Sequence, residues 1–383
     1  MFFPMGIPAQ AGQAKSADIN ATIGQLTDGN GHAMPLPAIA SALSGVSLEE
    51  TTLYSPQGGN KDLRTAWLNR LNAFGSGPKS LPFCTVGLTH GLSLLSDLFV
   101  DEHTDVLLPN PGWGNYNHIF GVKNGGRIHT YPVFKDGRFC AEAIQQALGK
   151  IENNGVLLLN FPGNPTGYTP TAVELEPWFE AIRNSPKPVV VICDDAYSGF
   201  VYEDGCMARS PFHELSDVDP KRVLLTKVDG ATKELCFFGG RVGFVTFGAD
   251  GEAGAALETK IKGMARATVS TGPAISQAIV LAALRDPSLP DQRTELFDVC
   301  KRRYDVLKRC IAESGLKTVP FNSGFFALFP VDSDPEALRQ RLLKRGVGIV
   351  SMPKHNAIRV AFSSTHEDDL PALIEAIAEE MDA

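Results

Sequence analysis

The chain has 383 residues, a hydrophobic content of 43% and a net charge of −8, with a mean hydropathy of −0.04. That length can bury a large core and predicts two or three domains, while the acidic balance argues against a nucleic-acid surface and no apolar run approaches the roughly 20 residues that span a bilayer. The seven cysteines show no CxxC pair and no His-Cys cluster, so they read as reduced thiols of a cytoplasmic protein without a zinc site.

The first residues, "MFFPMGIPAQAGQAKSAD", lack the basic region and apolar core of a secretory signal and read as a flexible arm. Further on, "TDVLLP" (Thr104 to Pro109), "GRIHTYPV", "GVLLLNFPG", "PVVVICDDAY", "RVLLTK" and "RVGFVTFG" are apolar runs bounded by Gly, Pro, Asn or Asp. Near-continuous apolarity predicts strands buried on both faces, hence a mainly parallel sheet between helices. "CAEAIQQALGK" and "VELEPWFEAIRNS" supply intervening amphipathic helices, and this βα alternation places ligands at the carboxyl ends of the strands. After Pro273 the pattern changes to a small-residue helix, "AISQAIVLAAL", and a long amphipathic one ending in Ser-Gly. "SGFFALFPV", "VGIVSM" and "AIRVAFS" follow as three strands, and "HEDDLPALIEAIAEEM" as a capped helix. The expected division is an arm with part of a small domain over 1–45, a large α/β domain over 46–285 and an α+β small domain over 286–383.

Loops at the strand ends carry the residues that suggest chemistry. "NFPGNPTG" holds the Asn164 amide just past a strand tip in a stiff turn, and "CDDAYSGF" presents Asp194, Asp195 and Tyr197 after the next strand. "LTHGLSLL" opens a helix whose first amides, placed around Gly91 and Leu92, suit a phosphate. Trp113 in "NPGWGNYNHIF" offers a flat surface for a ring. The segment "TKVDGATKELCFFGGRVG" adds two lysines, Lys227 and Lys233, and then Arg241. On the residues alone either lysine can be the reactive amine, and Asp195 reads as a structural or solvent-facing neighbour of Asp194. These parts call for an anionic phosphate, a stacked ring, a protonated ring nitrogen facing a carboxylate and an amine that forms an imine.

Together "YSPQGGNKDLR", "NPGWGNY", "NFPGNPTG", "DDAYSGF", "TK" followed by "GGRVG", and "NAIRVAF" resemble, in this order, the class I aminotransferases of pyridoxal 5'-phosphate (PLP) fold type I, and most closely their aspartate aminotransferase-like branch. The resemblance runs from about Ile19 to the C-terminus. It implies an α/β fold with a mainly parallel seven-stranded sheet and a smaller α+β domain. It makes Lys233 the lysine that carries the cofactor and moves the substrate proton, Arg241 the phosphate arginine and Trp113 the stacking ring. Asn164 and Tyr197 would face the phenolic oxygen, and Asp194 the pyridinium nitrogen. Gly24 and Arg359 would contact the substrate, Arg359 gripping its α-carboxylate as a bidentate fork. Tyr54 would reach the phosphate of a neighbouring subunit, implying a homodimer with shared active sites. Arg266 would bind a distal carboxylate from the other subunit, although Lys262 and Arg266, spaced i,i+4, also fit a solvated basic face.

Three departures stand out. Gly230 occupies the place, three before the lysine, where the family has Ser or Thr; Thr226 and Thr232 are the nearest substitutes. The segment leading to Lys233 is about two residues longer than usual. Tyr116 stands where the aspartate branch has a histidine behind the aspartate. The expected activity is transfer of an amino group, by a ping-pong route, between an L-amino acid (aspartate, glutamate or an aromatic one) and a 2-oxo acid such as 2-oxoglutarate. A PLP-dependent β-lyase or decarboxylase is the alternative, and a non-catalytic PLP-fold binding protein a third reading.

Overall fold

The computed structural model describes residues 6–382. Seven strands build the central sheet: β1 (Phe83–Val86), β2 (Asp105–Asn110), β3 (Arg127–Pro132), β4 (Gly155–Leu159), β5 (Val189–Asp194), β6 (Val223–Gly230) and β7 (Val242–Phe247). Their order is β1-β7-β6-β5-β4-β2-β3. β2 to β6 run parallel to one another, whereas β7 is antiparallel to both β6 and β1. The apolar runs form strands because both faces are covered. One face packs on the helices Ala143–Leu148 and Ala172–Arg183 through Ile144, Leu175, Trp178 and Ile182. The other packs on Gly87–Phe99 and Gly251–Thr268 through Leu92, Leu95, Ile261 and Ala265. β1 is only four residues long and β7 is reversed; an apolar run reveals neither a short edge strand nor a direction.

Beyond the sheet, the helix Leu289–Ser314 ends on Gly315 in the left-handed region (φ 73°). It packs against the helix Leu370–Asp382. β8 (Phe326–Pro330), β9 (Val350–Met352) and β10 (Ala357–Ala361) form an antiparallel sheet in the order β8-β10-β9. The N-terminal segment joins this unit: Ile19–Asn20 pairs in parallel with Val347–Gly348. The expected flexible arm is corrected here. Ile7–Gln13 is a helix with Pro8 in its first turn. The Gln10 amide donates to the Ser351 carbonyl (3.2 Å) and accepts from the Ser351 N–H (2.8 Å), which anchors it. Residues 1–5 of that arm lie outside the described residues. Among the described residues no helix is long and apolar enough to cross a membrane, and no cluster of His, Cys, Asp and Glu suits a metal ion.

Candidate active site

The site forms where β4, β5 and β6 end. β5 terminates at Asp194, paired in register with Val228 of β6. β6 runs on to Gly230, three residues beyond the predicted strand end, and Lys233 follows in the one-turn helix Ala231–Glu234. The strand tips therefore set the carboxylate and the amine side by side.

Asp194 is buried, and burial pushes its carboxyl up to about 6 against the opposing pull of Tyr116 and Lys233. The Tyr116 hydroxyl donates to Asp194 Oδ2 at 2.6 Å, and the Ala196 N–H donates to Oδ1 at 3.2 Å. Burial and the neighbouring carboxylate push the Tyr116 phenol well above its ordinary range, so it stays a neutral donor. A π-helical turn, Asn117–Val122, begins directly after Tyr116. Trp113 packs edge-on to the Tyr116 ring with centroids 5.3 Å apart. Hydrogen bonds to charged groups contribute about 1.5–3 kcal/mol. Tyr116→Phe is therefore expected to raise the proton affinity of Asp194 further, by about tenfold or more, read by following the Asp194 carboxyl through a pH titration.

The Lys233 amine lies 5.0 Å from the centroid of the Tyr197 ring. Burial lowers its pKa to about 8; Asp194 opposes that shift and the Arg241 cation adds to it. Tyr197 packs on Phe325 and Phe326 at 5.2 and 5.6 Å. Asn164 accepts from Arg359 Nη1 at 3.2 Å, and Arg359 Nη2 donates to the Thr22 carbonyl at 2.7 Å. Arg359 is a buried residue of β10, with its guanidinium 4.2 Å over the Phe326 ring. Burial lowers it to about 10, and its Nε has no partner among the described residues. Gly24 lies against the same ring: an added Cβ would sit 2.2 Å from Phe326 Cζ. Asn160, which the motif reading passed over, donates to the Asp194 carbonyl (2.8 Å) and accepts from the Asn164 N–H (2.9 Å). It ties the tips of β4 and β5 together.

At the other end, the helix Gly87–Phe99 starts at Gly87, so Gly91 and Leu92 are its fifth and sixth residues. Their amides are committed within the helix, and both residues are buried against the sheet. The expectation that they offer free donors is corrected: the first-turn amides of Gly87, Leu88 and Thr89 are the ones with no partner four residues back in the helix. Gly87 has φ +76°, and a Cβ there would meet Arg241 Nη2 at 2.3 Å. Gly230 has no room for a side chain, since a Cβ would lie 2.5 Å from the Val242 carbonyl and 2.7 Å from Gly243 Cα. The absent serine is thus the outcome of tight packing of β6 on β7. Of its substitutes, Thr226 is engaged with the Val191 carbonyl (3.1 Å), whereas the buried Thr232 hydroxyl has no partner among the described residues.

Residues 17–377 match the model of the family "Aminotransferase class I and II". The chain belongs to that family. It is 26% identical over 292 residues to the (5-formylfuran-3-yl)methyl phosphate transaminase of Methanocaldococcus jannaschii, covering 74% of this chain and 71% of that protein. It is 24% identical over 287 residues to the aspartate aminotransferase of Bacillus subtilis, with 74% and 68% covered. Among solved structures, an aminotransferase from Anaerococcus prevotii superposes with a TM-score of 0.88 over 98% of this chain and 95% of that one, at 24% identity. The aspartate aminotransferase of Thermus thermophilus with maleate superposes at 0.80, covering 99% and 97%, at 21% identity. The chain is an aminotransferase-family enzyme with the α/β fold of these structures.

Tyr54 and Arg266 stand apart from this cluster. Tyr54 is 94% exposed, and Arg266 is exposed near the end of the helix Gly251–Thr268. Lys262, one turn earlier, pairs with Glu258 at 2.7 Å. Asp195, expected to be structural or solvent-facing, is buried and ion-paired with Lys227.

Proposed function

We propose that this enzyme is a PLP-dependent aminotransferase acting on an L-amino acid and a 2-oxo acid, with glutamate and 2-oxoglutarate as one pair and aspartate or an aromatic amino acid as the other partner. The observation that carries this reading is a shielded amine, Lys233, with its pKa lowered to about 8 between Asp194 and Arg241. The residues fit the cofactor. Asp194 is a buried carboxylate suited to a cationic ring nitrogen, and Trp113 stands beside its tyrosine partner to cover a ring. Arg241, the amides after Gly87 and the unpartnered Thr232 hydroxyl supply donors for a phosphate. Asn164 and Tyr197 complete the cradle.

When bound, PLP supplies a ring that accepts the electrons left as the substrate Cα loses its proton. The chain's own residues do the rest. Arg359, with an unused Nε, holds the α-carboxylate, and its stacking on Phe326 and hydrogen bond to Thr22 fix the direction of the fork. Lys233, once neutral, would take the proton from Cα and deliver it to the cofactor carbon on the far side of the amino nitrogen. Asp194 keeps its charge opposite the ring nitrogen, and Tyr116 holds that carboxylate in place.

Two copies of the chain complete the site in this reading. Tyr54 and Leu48 (81% exposed) are exposed at and just after the helix Leu48–Thr52, which packs on Ala274–Leu284 with its exposed Ile275. The Ser55 hydroxyl donates to the Gly272 carbonyl at 2.7 Å and joins the two segments. Such an exposed apolar patch suits a subunit contact, which would bring Tyr54 and Arg266 to a partner's site. The test is spectroscopic. Purified protein with PLP is expected to show a visible band, and a single amino acid should discharge that band while releasing one equivalent of oxo acid. No band on addition of PLP would end this reading. For Arg266→Ala, glutamate and aspartate are expected to lose roughly tenfold or more in kcat/KM while alanine does not; unchanged kinetics with the dicarboxylates would remove Arg266 from substrate recognition.

A further inference from the structure

The first lysine of the "TKVDGATKE" segment, Lys227, has no part in that chemistry, yet it lies deeper than the second. Lys227 is 3% exposed, and Asp195 and Asp229 are 2% exposed each. The Lys227 ammonium contacts the Asp195 carboxylate closely and lies 3.5 Å from Asp229 Oδ2. Asp229 in turn accepts from Trp67 Nε1 at 3.0 Å, and the Arg70 guanidinium stacks 4.5 Å from the Trp67 ring. Arg70 bonds Glu234 at 2.6 Å, and Arg293 approaches the same carboxylate at 3.5 Å. Glu234 directly follows Lys233.

Strand alternation places this chain of charges. Residues two apart on β6, Lys227 and Asp229, share one face, while Asp194, the register partner of Val228, lies on the other. The ions therefore sit behind the site, on the reverse of the two strand tips that present Asp194 and Lys233. The Asp195 N–H donates to the Val228 carbonyl at 2.9 Å, so the ladder continues through the residue that Lys227 grips.

Burying ions of this kind is weak evidence for a contribution to stability, because desolvation offsets their attraction; apolar residues of similar volume often do as well. A role for the charge itself accounts better for its place. We propose that Lys227 is a positioning residue whose buried ammonium neutralises the carboxylates of Asp195 and Asp229 behind the site, so that Asp194 remains ionised and Lys233 keeps its working charge state. This rests on the PLP-dependent reading above.

The neighbouring charges set the sign. Asp194 is faced by Tyr116, Lys233 and Asp195, and Lys233 by Asp194 and Arg241. Lys227 is faced by Asp195, Asp229 and Glu234, and it also acts on His213 and Cys193. Burial alone would lower Lys227, but Asp195 and Asp229 reverse that and hold it charged. Removing the Lys227 cation favours the more positive state of the site, and removing the Asp195 anion disfavours it.

The experiment compares Lys227→Met and Asp195→Asn with the wild type, each loaded with PLP, by the pH midpoint of the visible band. The low-pH form of the lysine-bound chromophore carries one more positive charge. Lys227→Met is therefore expected to raise the midpoint and Asp195→Asn to lower it, each by roughly one pH unit. Opposite shifts are the signature of charge, since a packing defect common to both variants would move them the same way. Midpoints equal to the wild type, or shifts of one sign, overturn the proposal. If Lys227→Met does not fold, the nearly isosteric Asp195→Asn decides alone, and no downward shift from it overturns the proposal. A wild-type protein that shows no band with PLP would instead overturn the function reading, so the two failures are distinct.

Discussion

Lys233→Met is expected to lower transamination by at least about 10⁴-fold, because it removes both the covalent anchor and the group that moves the proton. The methionine keeps most of the volume of the side chain, so the loss reads out chemistry and not collapse. A stability measurement separates the two further. The amine of Lys233, near 8 in the fold, lies below the 10.5 of an ordinary lysine. Between those values the unfolded chain binds more protons than the folded one, so stability of the cofactor-free protein rises with pH across that window. Below about 8 the protein carries the full cost of burying an ammonium. The cofactor-free Lys233→Met variant should therefore melt at a higher temperature than the wild type at pH 7, and the difference should shrink towards pH 10. A variant that is inactive and also less stable at pH 7 would point to a structural lysine.

Much of this was legible in the sequence for identifiable reasons. The buried strands could be read because parallel strands covered on both faces must be apolar along their length, as Val189–Asp194 and Gly155–Leu159 are. The position of Asp194 followed from a strand end, where a parallel sheet presents its ligand groups, whereas Lys233 was singled out only by the family resemblance. The phosphate end was less legible. Helix onset depends on where the chain turns at Gly87, and the sequence "TVGLTHGL" contains two glycines that could each mark that turn. The reading chose the second; the left-handed φ and the contact with Arg241 belong to the first. The pairing of Lys227 with Asp195, left between a structural and a solvent-facing reading, was not legible because charged residues are read as exposed by default. Only the coincidence of both on one face of adjacent strands reveals that they bury each other. Tyr116 was visible as a departure from the family, but its bond to Asp194 joins residues 78 positions apart, and no local pattern encodes that.

Asp194→Asn is expected to reduce kcat by about 10²–10³-fold, the scale of losing one preorganised charge contact in a shielded site. The amide keeps the shape, and the Tyr116 hydroxyl still finds an oxygen to donate to. What disappears is the negative charge that holds the ring nitrogen protonated, and with it the electron demand that makes Cα acidic. KM for the amino acid should change far less, because Arg359 and not Asp194 holds the substrate. The stability of the cofactor-free protein moves the other way. The carboxyl of Asp194 is raised from 3.8 to about 6, so the folded wild type binds more protons than the unfolded chain between those values. Stability contributed by this group is present below about 4 and lost as pH rises through 6, a difference of up to roughly 3 kcal/mol. Asp229, also raised to about 6, adds a second descent over the same range that the variant retains. Asp194→Asn should thus flatten the acid-side descent and gain stability above pH 6 while losing activity, measured by denaturant unfolding at pH 4, 6 and 7. Adding PLP to the wild type should restore at pH 7 what the unpaired carboxylate costs, since a cationic ring nitrogen gives Asp194 the partner it lacks, and the same addition should stabilise the asparagine variant less. That reciprocal pattern distinguishes a carboxylate kept for its charge from one kept for packing.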